Sequence, residues 1–193
     1  GSIDAALMWL TDLFLSLPQL PLLLLLIYLF RDTLKGLFGP EVGVFLLIVF
    51  VIGLFRWMPV ARLVRAQFFS LREKEFVEAA RALGASTSRQ VVRHILPNSL
   101  GVIIVAMAFL IPGAIITEAI LGYLGLGLRP STDPADIFIT SWGSMLLEGQ
   151  TAINNQPWIL LAPAIAVALV VLSFNFLGDG LRDALDPRLK GTS

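Results

Sequence analysis

Few side chains in this sequence are placed to do chemistry. Glu78 and Arg81 sit in a segment, 56–93, that carries eight basic residues against three glutamates. A carboxylate in such a setting suits a charged contact with a partner. Glu118 is the one acidic residue inside a long apolar stretch. An ionisable group there is a functional candidate by default. The alternative is a structural glutamate, hydrated or hydrogen-bonded at a membrane interface. His94 is the sole histidine and there is no cysteine, so no metal-ligand cluster is expected. No H-E-x-x-H run and no Ser–His pairing suggests hydrolysis, and no G-x4-G-K-[ST] phosphate loop occurs. Gly178-Asp179-Gly180 would suit an intramembrane aspartyl protease only with a second intramembrane aspartate to share a proton, and none is available. Gly122-Tyr-Leu-Gly-Leu-Gly127 is glycine-rich but lacks the carbonyl filter pattern of an ion channel. An intramembrane protease and a channel-like polytopic protein therefore remain only as alternatives to a transport role.

The elements that must position these residues are apolar. Of 193 residues, 56% are hydrophobic and 15% charged, against about 45–50% and about 25% in a soluble domain. Disorder needs the opposite balance. A disulfide scaffold needs cysteine, and a nucleic-acid binder needs net positive charge, whereas 14 basic and 14 acidic residues cancel here. An integral membrane protein remains. A crossing helix needs about 20 apolar residues. The spans are expected at 13–30, 42–60, 99–121 and 158–177, which makes the fold an all-α polytopic bundle in a single membrane domain, 1–193. Arg56 is expected to snorkel to the interface. Pro112, within the third span, predicts a kink.

Basic residues mark the cytoplasmic side. The loop 61–97 is thus expected in the cytoplasm, since 56–93 has a balance of +5, and the connection 122–157, at −2, outside. The charges counted toward −2 include Asp133 and Asp136. Arg182, Arg188 and Lys190 agree with a cytoplasmic C-terminus, and both ends of the chain fall on that side. Within the external connection, the stretch from Ser141 to Glu148 is expected to form a short helix. Its readings are a docking surface or an interfacial anchor held by Trp142.

Within the basic loop, Phe76, Ala80 and Leu83 recur at helical spacing. Gly84 is a suitable helix stop, Ser86 or Thr87 can cap a second short helix, and Pro97 suits the start of the third span. The product is a helix–turn–helix hairpin with small residues near its tip. A solvated amphipathic loop and a docking element are both consistent with that pattern.

Glu78-Ala79-Ala80, Gly84 and Leu96-Pro97 fall on the pattern E-A-A-x3-G-x9-I-x-L-P. This resembles the EAA loop of binding-protein-dependent ABC importer permeases. His94 stands where the pattern has isoleucine, with the spacing kept. The runs 118–127, 141–145, 158–163 and 175–187 extend the resemblance, over essentially the whole chain, to the C-type subunit of the dipeptide/oligopeptide/nickel transport family. The resemblance implies a type I importer fold, with six spans of which this chain matches the C-terminal four. It implies a non-enzymatic permease subunit in the inner membrane of a bacterial or archaeal cell, needing no cofactor or metal. Its implied partners are a second permease subunit, cytosolic ATP-binding subunits, an extracytoplasmic solute-binding protein and lipid, with no nucleic acid. Glu78, Ala79, Ala80, Arg81 and Gly84 would form the coupling contact with the ATPase, and Glu118 is a candidate for the substrate path.

Overall fold

The structure is a computed structural model, described here over residues 1–130 and 140–185. Asp133, Asp136, Arg188 and Lys190, which enter the charge expectations, lie outside the described residues. Among the described residues every regular element is helical: α1 Ser2–Ser16, α2 Gln19–Phe38, α3 Pro40–Arg72, α4 Glu75–Ala82, α5 Thr87–Gln90, a π-helical turn Val91–Ile95, α6 Leu96–Tyr123, α7 Trp142–Ala152 and α8 Trp158–Leu185. Three continuous helical runs are long and apolar enough to cross a membrane: α3, Thr87–Tyr123 and α8. A fourth crossing exists if α1 and α2 together count as one bent span.

The first expected span needs correction. Residues 13–30 straddle a break at which α1 and α2 diverge by 88°. Pro18 lacks the N–H that would continue α1, and its ring drives the preceding residue out of the helical region. Leu17 accordingly adopts ψ 144°. Pro21 causes no second break, because it falls in the first turn of α2, where backbone N–H groups lack intrahelical partners anyway. Arg31, just past the expected span, lies inside α2.

The loop expected at 61–97 needs a similar correction. Residues 61–72 are not loop but the last turns of α3, which runs 33 residues through Pro59. At 1.5 Å per residue it is about 50 Å long, well beyond a ~30 Å hydrocarbon core. Its charged end can therefore stay helical in water. Arg65 there covers the ring of Phe69 at 4.7 Å. Likewise α8 continues past residue 177 to Leu185, and α6 remains helical through Pro112.

Two compact units divide the chain. The first combines Gly1–Arg56 with Ile111–Ser173. Its interior takes Leu23 and Ile27 from α2, and Val44, Leu47, Ile48, Val51 and Phe55 from one face of α3. The spacing of the α3 set, three and four residues apart, gives the single stripe that a packed helix buries. Ala119 and Leu121 of α6 join them, and Phe14 of α1 meets Phe55 edge-on at 6.1 Å. The second unit combines Trp57–Leu110 with the chain from Phe174 onward. Met58, Val77, Ile95 and Ser99 are buried in it, and Gly101 of α6 faces Leu185 at the end of α8.

Candidate functional site

The hairpin lies wholly within the second unit. Its first arm, α4, starts after Lys74 in extended conformation and ends at Leu83. The Gly84 N–H donates to the Arg81 carbonyl at 2.9 Å, and the Ala85 N–H to the Ala80 carbonyl at 3.0 Å. These are the paired bonds of a Schellman stop, which requires a left-handed residue between them. Gly84 supplies it with φ +81°. The second arm begins at Ser86, whose hydroxyl accepts from the Arg89 N–H at 3.4 Å. Of the two expected caps it is Ser86, not Thr87, that serves. Gln90 is buried, and its Nε2 donates to the Ala85 carbonyl at 2.7 Å, tying the arm to the turn.

The face of α4 turned inward is not the expected one. Val77 is fully buried, whereas Phe76 and Leu83 are exposed, Leu83 to 90%. Glu78, Ala79, Arg81 and Gly84 are exposed too, with Ala80 half-buried. The hairpin thus packs on Val77, Gln90 and Ile95 and presents the motif residues outward, around an apolar tip. All five residues expected to make the coupling contact come together on this one hairpin.

Pro97 does not open a new helix, as its type suggested. The helical run is continuous from Thr87, and the π-turn at Val91–Ile95 lets it pass the proline. The Leu96 N–H donates to the Val91 carbonyl, five residues back. This wider turn precedes a residue that cannot donate and whose ring crowds the carbonyl of Arg93. Ser99, buried, donates its hydroxyl to the Ile95 carbonyl at 2.8 Å.

Glu118 belongs to the first unit. It lies near the end of α6, where the helix stops in another Schellman pair: Gly125 N–H to Gly122 carbonyl, and Leu126 N–H to Leu121 carbonyl. Its Oε1 is buried and has no hydrogen-bond partner. Ser141 caps α7 through reciprocal bonds with Ser144, and a Cβ placed on Gly143, two residues on, would lie 3.0 Å from the Glu118 carbonyl. The expected helix starting at Ser141 is present as α7.

The fold gives two arginines partners that the sequence does not reveal. Arg56 does not reach for an interface. Its guanidinium donates to the Gly113 carbonyl and, at 2.6 Å, to the Thr117 hydroxyl, both on α6. Arg31 spans to the turn after α6, donating from Nη1 to the Gly125 carbonyl at 3.1 Å and from Nη2 to the Gly127 carbonyl at 3.2 Å. One available signal was simply their presence. A cation in an apolar helix must find carbonyls or counter-charges, and both did. Among the described residues no group of His, Asp or Glu is arranged to hold a metal ion.

Comparison with known proteins follows the same direction. The family described as "Binding-protein-dependent transport system inner membrane component" matches residues 1–191. The oligopeptide transport system permease protein OppC of Escherichia coli (strain K12) is 40% identical over 188 residues, 97% of this chain and 56% of its own length. OppC of Bacillus subtilis (strain 168) is 40% identical over 190 residues, 98% of this chain and 56% of the relative. The dipeptide transport system permease protein DppC of the same organism is 36% identical over 191 residues, 98% and 54% respectively. The chain spans about half the length of the curated relatives it matches.

Proposed function

Because the chain belongs to the family of binding-protein-dependent transport system inner membrane components, we propose that it acts as a permease subunit of an ATP-driven importer for dipeptides or oligopeptides. The observation that carries the reading is the hairpin. Its turn holds Glu78, Ala79, Ala80, Arg81 and Gly84 in one outward surface on a preformed, capped scaffold. Cytosolic ATP-binding subunits receive that surface. Closure of the ATPase pair pushes on α4, and the push passes into the spans as a rigid-body displacement between two packed states. ATP is hydrolysed by those subunits and not by this chain. A second permease subunit completes the path, a solute-binding protein delivers the solute, and Glu118 lines the route.

The orientation proposed puts the hairpin and both chain ends in the cytoplasm. The Arg31 bonds support it, for they bring α2 and the end of α6 to one side. The Gly101–Leu185 approach supports it as well, pairing the start of α6 with the end of α8. Both agree with helices alternating in direction across the membrane.

The decisive test is uptake of labelled di- and oligopeptides by the reconstituted complex, with and without ATP. ATP-dependent accumulation is expected, and uptake without ATP would instead indicate a channel. Topology has its own check. Ser88 is exposed on the hairpin, so a cysteine replacing it should react with a membrane-impermeant thiol reagent only after the cytoplasmic face is opened. Labelling in intact cells would invert the orientation.

The turn makes a further expectation. Nothing lies within 4 Å of a Cβ placed on Gly84, so Gly84→Val meets no clash. It meets only the cost of φ +81°, about 1–2 kcal/mol for an L-residue and more for a β-branched one. Gly84→Val should reduce co-purification of the ATP-binding subunits severalfold, and Gly84→Asn, which tolerates this conformation, should largely restore it. Equal assembly of both variants with the parent would remove the turn geometry from the docking argument.

A further inference from the structure

Arg31 and Glu118 both lie beside Gly127. Arg31 Nη2 donates to its carbonyl at 3.2 Å. A Cβ placed on Gly127 would lie 3.9 Å from Glu118 Oε1. Each of the two side chains also carries a buried, unpartnered atom: Nε of Arg31, a donor, and Oε1 of Glu118, an acceptor. Leaving such atoms unpaired costs about 1–3 kcal/mol each, more when the group is charged. Two of them, of opposite hydrogen-bonding character, flank one glycine-rich turn.

Among the described residues no carboxylate hydrogen-bonds Arg31, and its fork is spent on two neutral carbonyls. A guanidinium fork matches a carboxylate far better than separate carbonyls. The turn, ending α6 on Gly125, is what holds those carbonyls in place.

We propose that Arg31 receives the terminal carboxylate of a zwitterionic solute while Glu118 receives its ammonium group, so that the turn 125–127 is the site at which a short peptide with free termini is recognised within the membrane domain. The inference rests on the import reading for the class of solute. In that reading Glu118 only lines a route; here it and Arg31 form a two-ended recognition site.

The test is equilibrium binding of three probes to the assembled complex in nanodiscs: a labelled dipeptide with free termini, its C-terminal amide and its N-acetyl form. The same preparations are scored for ATP-driven uptake. The parent should bind the free dipeptide best. Arg31→Gln should weaken the free and N-acetyl forms about tenfold or more and leave the amide unchanged. Glu118→Gln should weaken the free and amide forms and leave the N-acetyl form unchanged. Arg31→Lys should recover some of the loss, since it keeps the charge without the fork. Equal weakening of all three probes by Arg31→Gln would mark a structural role and overturn the proposal. So would unchanged binding of all three, or a parent that binds none. Binding with this end-group pattern but without ATP-driven uptake would uphold the site and sink the import reading instead.

Discussion

Glu78→Lys is expected to leave the chain in the membrane and to cut ATP-driven uptake by about thirtyfold or more, while ATP hydrolysis in the complex persists. The size follows from charge pairing at interfaces. Truncating one member of a buried, hydrogen-bonded charge pair costs about 2–5 kcal/mol, and reversing it adds repulsion. The specificity follows from where Glu78 sits. It is exposed on α4, next to Val77, which carries the packing of that helix. Surface substitutions away from packing and caps usually change stability by within about 0.5 kcal/mol. The hairpin should therefore fold as before, held by the Gly84 stop, the Ser86 cap and the Gln90 bond to Ala85. Any loss then reports on the partner surface. Glu78→Gln, which keeps size and removes only charge, should show a smaller loss in the same direction. The measurement is the ratio of peptide taken up to ATP hydrolysed in proteoliposomes. An unchanged ratio in Glu78→Lys would remove this carboxylate from coupling.

How far the sequence predicts such a site depends on the range of the interactions involved. The Gly84 stop and the Ser86 cap were legible because their bonds join residues within five positions of one another. The burial of Val77 rather than Phe76 was not. In an eight-residue helix, apolar residues occur on more than one face, and only the arm packed beside it decides which is covered. Charge misled the reading of residues 61–72, because Arg62, Arg65 and Arg72 suit a solvated helix as well as a loop. The π-turn at Val91–Ile95 is the price of a proline at 97 in a helix that continues, and sequence cannot say whether a helix continues or restarts there. Least legible were the partners of Arg56 and Arg31. The first reaches across 57 positions and the second across 94. Their presence in apolar helices was visible, and only the fold shows which carbonyls satisfy them.

The junction of α6 with α7 should be the least forgiving place in the first unit, and Gly122→Val the variant that shows it. A Cβ on Gly122 would lie 2.5 Å from Cα of Gly143 and 2.9 Å from N of Ser144. The converse holds for Gly143, where a Cβ would lie 2.7 Å from Cα of Gly122 and 2.9 Å from the Ala119 carbonyl. Both obstacles are backbone, so no side chain can swing aside. The N-terminus of α7 cannot shift alone, because Ser141 and Ser144 lock it reciprocally. Farther along, Gln150 Nε2 donates to the Tyr123 hydroxyl at 2.8 Å. A bulky residue must therefore push α6 away from α7 along a contact that includes the buried Ala119 and Leu121. Overpacking of this kind costs about 1–3 kcal/mol, occasionally more. At the upper end it should lower Tm by roughly 6–12 °C in a chain of this size. Gly53→Ala provides the control. Nothing lies within 4 Å of a Cβ there, inside helix α3, so it should be neutral or stabilise by about 0.5–1 kcal/mol. Thermal unfolding of the two variants in detergent separates the explanations. If Gly122→Val melts with the parent, the helices do not meet as closely as the structure has them. If it melts early, it should also disturb peptide binding, since separating α6 from α7 moves the start of α7 off the Glu118 carbonyl, one turn back along the same helix.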